Sequence, residues 1–303
     1  MSILVVGTVA LDSVETPSGK RDDGLGGSAL FFSAAASHFS TVHLVGVVGK
    51  DFPMVSIDFL KKRNVNFDGM YILDGKTFRW GGKYHEDLNT RDTLFTELNV
   101  IENFYPTLPE AYKQSDYVFL ANTSPALQEH ILNQVKSPKL VVCDTMNLWI
   151  EIAKEDLMRL LKRVDILMLN DSEAQMLTGE RNLVAAAKKV HTMGPHTVII
   201  KKGEHGALIM NKGLYFYAPS FPVEVATDPT GAGDSFAGGF VGYLAKVAKH
   251  DDTTLKQAMI MGTVMGSYCV EKFSLDGLVD ITWEDILKRY NQIREFVHFE
   301  SIH

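Results

Sequence analysis

The stretch Asp228-Pro229-Thr230-Gly231-Ala232-Gly233-Asp234-Ser235-Phe236 combines residue types suited to moving a phosphate group. Gly238, Gly239 and an apolar run from Phe240 to Val247 follow at helical spacing, which predicts a helix over 232–248 with Gly231 to Gly233 at its N-terminus. The first amides of a helix lack intrahelical partners, and the helix dipole adds about half a positive charge there, so an anion is drawn to that end. Glycine lets a ligand approach the backbone and adopts φ values closed to other residues. Asp234, in the first turn, would stand beside the anion, where a carboxylate can take the proton of an attacking hydroxyl. The pattern also has a plainer meaning, an acidic residue that suits the dipole and glycines that let helices pack closely.

Other residues could share in such chemistry. Asp12 follows a buried-strand pattern, Ile3 to Gly7, and is either a substrate contact at the carboxyl end of a parallel strand or a turn aspartate. Gly24-Leu25-Gly26-Gly27-Ser28 opens a predicted helix through Ala36. It superficially matches a dinucleotide fingerprint, but charged Lys20 to Asp23 precede it where that motif needs a strand. Asn170-Asp171-Ser172-Glu173 ends the strand pattern Ile166 to Leu169. An amide oxygen and a carboxylate one turn apart can hold hydrated Mg²⁺, or the same residues can form a helix cap, with Asp171 or Ser172 capping. Lys202-Gly203-Glu204-His205-Gly206 reads as a turn between strands. Arg79 follows a strand-like Thr-Phe pair and could reach a hydroxyl or acidic substituent, or simply lie on a solvated strand face. Gly75-Lys76-Thr77 is not a Walker A loop, because Met70 stands where that motif needs glycine.

The nine-residue string, Gly26-Gly27 and Asn170-x-x-Glu173 occur in order and together resemble the ribokinase-like (PfkB) carbohydrate and nucleoside kinases over nearly the whole chain. The resemblance implies ATP as phosphoryl donor, Asp234 as catalytic base, and the backbone of Gly231, Ala232 and Gly233 as an anion hole. It implies Mg²⁺ held through water by Asn170 and Glu173, and nucleotide contacts from Asn170, Lys202, Gly203, Gly206, Thr230, Gly231 and Gly233. Asp12, Gly26, Gly27, Ser28, Phe31, Arg79 and Asn147 are the acceptor-site candidates it suggests. Asn147 lies in Asp144-Thr145-Met146-Asn147-Leu148-Trp149, a compressed form of a fructokinase-like motif that lacks its arginine. A potassium ion beside Asp228 is a further expectation, although Pro229 departs from the more common threonine. Phe31 stands where the family commonly carries an acceptor-binding asparagine, which makes the pocket more apolar and favours a cyclitol or nucleoside over plain ribose.

The elements that must position these residues alternate. Strands are predicted near 3–7, 42–48, 117–121, 139–143, 166–169 and 197–201, with helices near 29–36, 51–62, 125–135, 150–162, 232–248, 253–271 and 283–296. Short strands are expected at 69–73, 77–84, 93–96, 213–217 and 223–226. This predicts an α/β fold, a doubly wound, mostly parallel sheet flanked by helices, as one domain over 1–303. A small β-rich lid is expected from about 12–24 and 69–98, and the resemblance implies that such a lid can pair two subunits into a homodimer.

Composition narrows the partners. Hydrophobic residues make up 46% and charged residues 22% of the 303, ordinary for a soluble globular chain. A net charge of -7 and a pI near 5.8 supply no basic field, so nucleic acid is not an expected partner. No run has the length of a membrane span, the start lacks a signal-peptide pattern, and Cys143 and Cys269 both lie in apolar stretches, which together predict a cytoplasmic protein. No His-Glu-x-x-His or Gly-x-Ser-x-Gly occurs. Two classes remain: a small-molecule kinase, or a noncatalytic sugar or nucleotide sensor on the same fold.

Overall fold

β1 (Ser2–Val6) sets the phase of the main sheet. Its side chains alternate, so Ile3 and Val5 enter one apolar core and Leu4 and Val6 the other. With both faces covered the strand is apolar from Ile3 to Val6, and each large side chain buried this way contributes about 1.5–3 kcal/mol. The computed structural model describes residues 1–302.

The chain leaves β1 for a hairpin, β2 (Ala10–Thr16) and β3 (Gly19–Gly26), and returns through α1 (Ser28–Ala36) to β4 (Thr41–Gly49). A short helix, α2 (Asp58–Lys62), leads to β5 (Val65–Leu73), and a second hairpin follows, β6 (Phe78–Tyr84) and β7 (Arg91–Glu97). From β8 (Tyr117–Leu120) the alternation is regular: α3 (Pro125–Leu132), β9 (Leu140–Asp144), α4 (Asn147–Ile152) with α5 (Lys154–Leu161), β10 (Ile166–Asn170), α6 (Asp171–Thr178) with α7 (Leu183–His191), and β11 (Thr197–Lys201). β12 (Ala207–Met210) and β13 (Tyr215–Ala218) precede α8 (Ala232–Val247), α9 (Asp252–Val270), α10 (Asp276–Val279) and α11 (Trp283–Phe296).

Nine strands form the main sheet in the order β13-β12-β11-β10-β9-β8-β1-β4-β5. The strands from β11 to β5 run parallel, and β12 and β13 close one edge antiparallel. Residues of α1, α8, α9 and α11 share a core with one face, and residues of α3, α5, α6 and α7 with the other. The sheet is therefore doubly wound, as expected. A separate four-stranded sheet has the order β3-β2-β6-β7, with β2 and β6 parallel and both outer pairs antiparallel.

Four local expectations change. Val65–Leu73 pairs with β4 as the edge of the main sheet, so 69–73 does not belong to the small sheet, whose second half begins at Phe78. Asp12 sits inside β2 rather than in a turn after β1. The helix expected over 150–162 is two, broken at Ala153 with φ −134 and ψ 32. Residues 223–226 form no strand. Periodicity detects a strand but not its partner, and short polar runs carry too little of it to separate strand from loop.

α8 packs against α1 and α9 at very short range. A methyl group on Gly238 would lie 2.5 Å from the carbonyl oxygen of Phe32, and one on Gly239 2.5 Å from that of Met261. Neither backbone can yield without moving a helix. Gly239→Ala is therefore expected to lower stability by about 1–3 kcal/mol, read as a shift in the urea midpoint with an unchanged slope.

Candidate active site

Three adjacent parallel strands end in polar residues at the same rim: Asp144 on β9, Asn170 on β10 and Lys201 on β11. On β11, Val198 and Ile200 enter one core and Ile199 the other, so alternation turns Lys201 toward the face that carries α8. The N-terminus of α8 arrives there with Gly231 as its N-cap, at φ 76 and ψ 1. Only glycine adopts this conformation readily, and a methyl group there would also overlap the ring of Phe31, which is 2% exposed.

The amides behind this turn are not equivalent. Ala232 N–H donates to the Pro229 carbonyl at 3.2 Å, whereas the N–H groups of Gly231 and Gly233 have no partner among the described residues. Two donors thus stand ready at the helix end, and Ala232 would have to release its bond to become a third.

Asp234 follows in the first turn. Burial raises its carboxyl to about 7, Asp144 pushes the same way, and Lys201, its own amide and Arg91 pull against them. Glu173 is likewise raised to about 7 by burial and Asp144, against Lys201, the Asn170 amide and Arg91. Burial disfavours the Lys201 ammonium, yet Asp144 and Glu173 overcome that and hold its pKa above the ordinary value. Its Nζ lies 2.5 Å from Asp144 Oδ2.

Asn170 and Glu173 form a capping box on α6. Asn170 Oδ1 accepts from Glu173 N at 2.8 Å and Glu173 Oε2 accepts from Asn170 N at 2.7 Å. The cap is thus Asn170, not Asp171 or Ser172. Ser172 Oγ donates to the same Oδ1 at 2.7 Å, which leaves Glu173 as the better-placed oxygen donor toward the other carboxylates.

The small sheet closes the rim from above. Asp12 in β2 is 8% exposed, and burial, with Asp228 and Asp234 in support, raises its carboxyl to about 7 against the Gly27 amide. Its carboxylate occupies the space over Gly26 that a side chain there would need, and Gly27, at φ 95, turns the chain into α1. Asp12 and Phe31 line one small cavity with Arg21, Leu25, Asp228 and Thr230. Tyr84, at the end of β6, accepts from Thr230 Oγ1 at 3.2 Å. At the tip of the β6–β7 hairpin, Asn89 reaches the turn after β11, where a methyl on Gly203 would lie 2.8 Å from Asn89 Oδ1. That turn is closed by Lys202 N–H donating to the Gly206 carbonyl at 2.8 Å, with Gly206 at φ 81.

Several expected contacts have other tasks. Ser28 Oγ donates to the Asn122 carbonyl at 3.0 Å and accepts from Thr8 N at 3.1 Å, pinning α1 to the ends of β1 and β8. Arg79 lies opposite Leu11, one residue out of phase with the Asp12–Trp80 pair, and is engaged by Asp23 and by Asp51 at 3.3 Å. Asn147 is exposed at the start of α4. Asp228 is buried and accepts from Thr230 N at 2.9 Å and Ser274 N at 3.1 Å, so a cation there would have to share a carboxylate that already ties two loops.

A family model of pfkB family carbohydrate kinases matches residues 13–280. The chain belongs to that family. It is a phosphotransferase that takes an alcohol group as acceptor, transferring from ATP to a small sugar or nucleoside, and the noncatalytic sensor is set aside. A cytidine kinase of Thermococcus kodakarensis is 33% identical over 247 residues, 80% of this chain and 87% of that one. The structure of a Methanocaldococcus jannaschii nucleoside kinase superposes with a TM-score of 0.76 at 20% identity, covering 96% of this chain and 98% of the other. Arabidopsis thaliana ribokinase in complex with ribose and ATP superposes with a TM-score of 0.75 at 18% identity, covering 95% and 98%. No helix of the described residues is long and apolar enough to cross a membrane.

In this kinase the residues that sequence reasoning missed are Lys201, Asp144 as a member of the charge cluster, and the pair Trp80 and Arg91. Trp80 shares the sheet face of Asp12, Arg91 pairs with Tyr84 across β6 and β7, and the Arg91 guanidinium lies 5.6 Å from the Trp80 ring centroid. For Lys201 a signal existed, since the alternation of β11 separates it from its exposed-turn neighbour Lys202.

Proposed function

We propose that this kinase phosphorylates a hydroxyl of a nucleoside, with Asp234 as general base and Gly231 and Gly233 as the first donors of the anion hole. The observation that carries the mechanism is the placement of one carboxylate, held near neutrality, in the same helical turn as two unpartnered amides. Asp234 takes the acceptor's proton, the acceptor oxygen bonds to the γ-phosphorus of ATP, and the bond from that phosphorus to ADP breaks. Charge spreads over the phosphoryl oxygens, which favours fixed donors aimed at them. Asp12 orients the acceptor, and the hairpin β6–β7 covers it as a lid. Mg²⁺ suits Glu173, whose Oε2 caps α6 and leaves Oε1 free, because hard cations take oxygen ligands; held there it would neutralise phosphate charge.

The nucleoside reading draws support from the cytidine kinase relative and from the aromatic faces of Phe31 and Trp80, which suit a planar base better than a bare sugar. An ADP-release assay over cytidine, other nucleosides, ribose, fructose and inositol tests it. A nucleoside is expected to exceed ribose in kcat/KM by about a hundredfold or more, since a site built around a base loses its contacts with the sugar alone. Turnover of free sugars alone would reject the nucleoside and keep the kinase.

A further inference from the structure

Lys201 is the one half-buried cation in salt-bridge contact with the acidic cluster among the described residues, and the mechanism above does not use it. Its side chain is 16% exposed and that of its partner Asp144 5%. An ammonium group has three N–H donors, and among the described residues only the one to Asp144 Oδ2 has an acceptor. With no second protein acceptor, the remaining donors are free to meet an anion brought to this partly open rim. Nζ also lies 3.2 Å from where a methyl group on Gly233 would stand, so it borders the residue whose amide is free. Glu173 and Asp234 act on it electrostatically from α6 and α8, and Asp144 from the end of β9. The two unused donors therefore lie beside the free amide of Gly233, at the helix end proposed above to receive the phosphates.

We infer that Lys201 is a catalytic residue that donates hydrogen bonds to the non-bridging oxygens of the transferred phosphoryl group. Asp144 holds the ammonium in place before ATP arrives. The inference rests on the anion-hole placement proposed above but not on which acceptor is used. During transfer the lysine stays protonated and no bond to it forms or breaks; it meets negative charge that the amides alone would share.

The test is calorimetric binding of ADP and of the β,γ-imido analogue of ATP, together with kcat, for Lys201→Met, Lys201→Arg and the double variant Asp144→Asn with Lys201→Met. The double variant removes both members of the ion pair and so keeps the test readable if Lys201→Met alone leaves Asp144 unpaired and fails to fold. Loss of Lys201 is expected to weaken the imido analogue about ten- to a hundredfold relative to ADP, the size of a charge-assisted hydrogen bond, and to lower kcat about a hundredfold or more. Lys201→Arg should keep part of both. Equal weakening of ADP and the imido analogue, or unchanged discrimination between them, would overturn the assignment and leave Lys201 a structural counterion. Because the binding arm needs no acceptor, a failure of the nucleoside reading cannot be mistaken for a failure here.

Discussion

Asp234→Asn is expected to lower kcat by about 10²–10⁴-fold, with ADP binding within about threefold of the parent enzyme. The amide keeps the size and much of the polarity of the carboxylate but cannot accept the proton. The parent should show kcat/KM rising about tenfold per pH unit on the acid side and levelling above about 7, because burial raises this carboxyl to about 7 and only its ionised form is a base. That limb should disappear from the residual activity of the variant. Stability runs the other way. The folded-state value lies above the ordinary 3.8, so the folded protein holds this proton more tightly than the unfolded chain. The stabilisation from that proton is complete below pH 4 and is lost as pH rises to about 7. At pH 8 Asp234→Asn should therefore melt no lower than the parent. A variant that keeps kcat within threefold, in a protein melting normally, would remove Asp234 from the base role.

Gly231→Ala is expected to lower stability by about 2–5 kcal/mol, from about 1–2 for a side chain held in the left-handed region and about 1–3 for overlap with a packed ring. The position has φ 76, and the methyl would enter the ring of Phe31, itself buried on α1. Either the helix start or the ring must move, and a displaced helix start carries the Gly233 amide and Asp234 with it. kcat should fall with stability. Phe31→Leu in the same background should recover part of the loss, so the double variant is less destabilised than the sum of the singles by about 0.5–3 kcal/mol. Strict additivity in urea melts would place the whole penalty in the backbone conformation and none in the ring contact.

The nucleotide end of the site was legible because its groups are consecutive. Asp228 to Phe236 is one turn and one helix start, so local spacing already placed each side chain relative to the backbone, whereas the cap of α6 fell on Asn170, a residue before the two expected. The acceptor end was less so. Arg79 follows the strand-like Thr77-Phe78 pair and is held by Asp23 and Asp51, because a one-residue difference in strand phase decides which face a side chain takes. Trp80, one residue on, takes the face of Asp12 for the same reason. Val65–Leu73 reads equally well as a lid strand or a sheet edge, and only its pairing with β4 separates them.

By itself the amino-acid sequence determined the α/β alternation, the doubly wound class and the helix start at Gly231 to Asp234, to which the proposed anion hole and base belong. Each follows from neighbours within a few residues, over which helix and strand periods hold. The tertiary structure alone decided that Asp144, Glu173, Lys201 and Asp234 share one charge cluster. They come from β9, α6, β11 and α8, far apart along the chain, and meet because β9, β10 and β11 lie side by side and the chain then crosses to lay α8 over their carboxyl ends. Burial in that rim, which no local pattern encodes, raises two of the carboxylates to about 7, while Asp144 and Glu173 keep the lysine charged against the same burial.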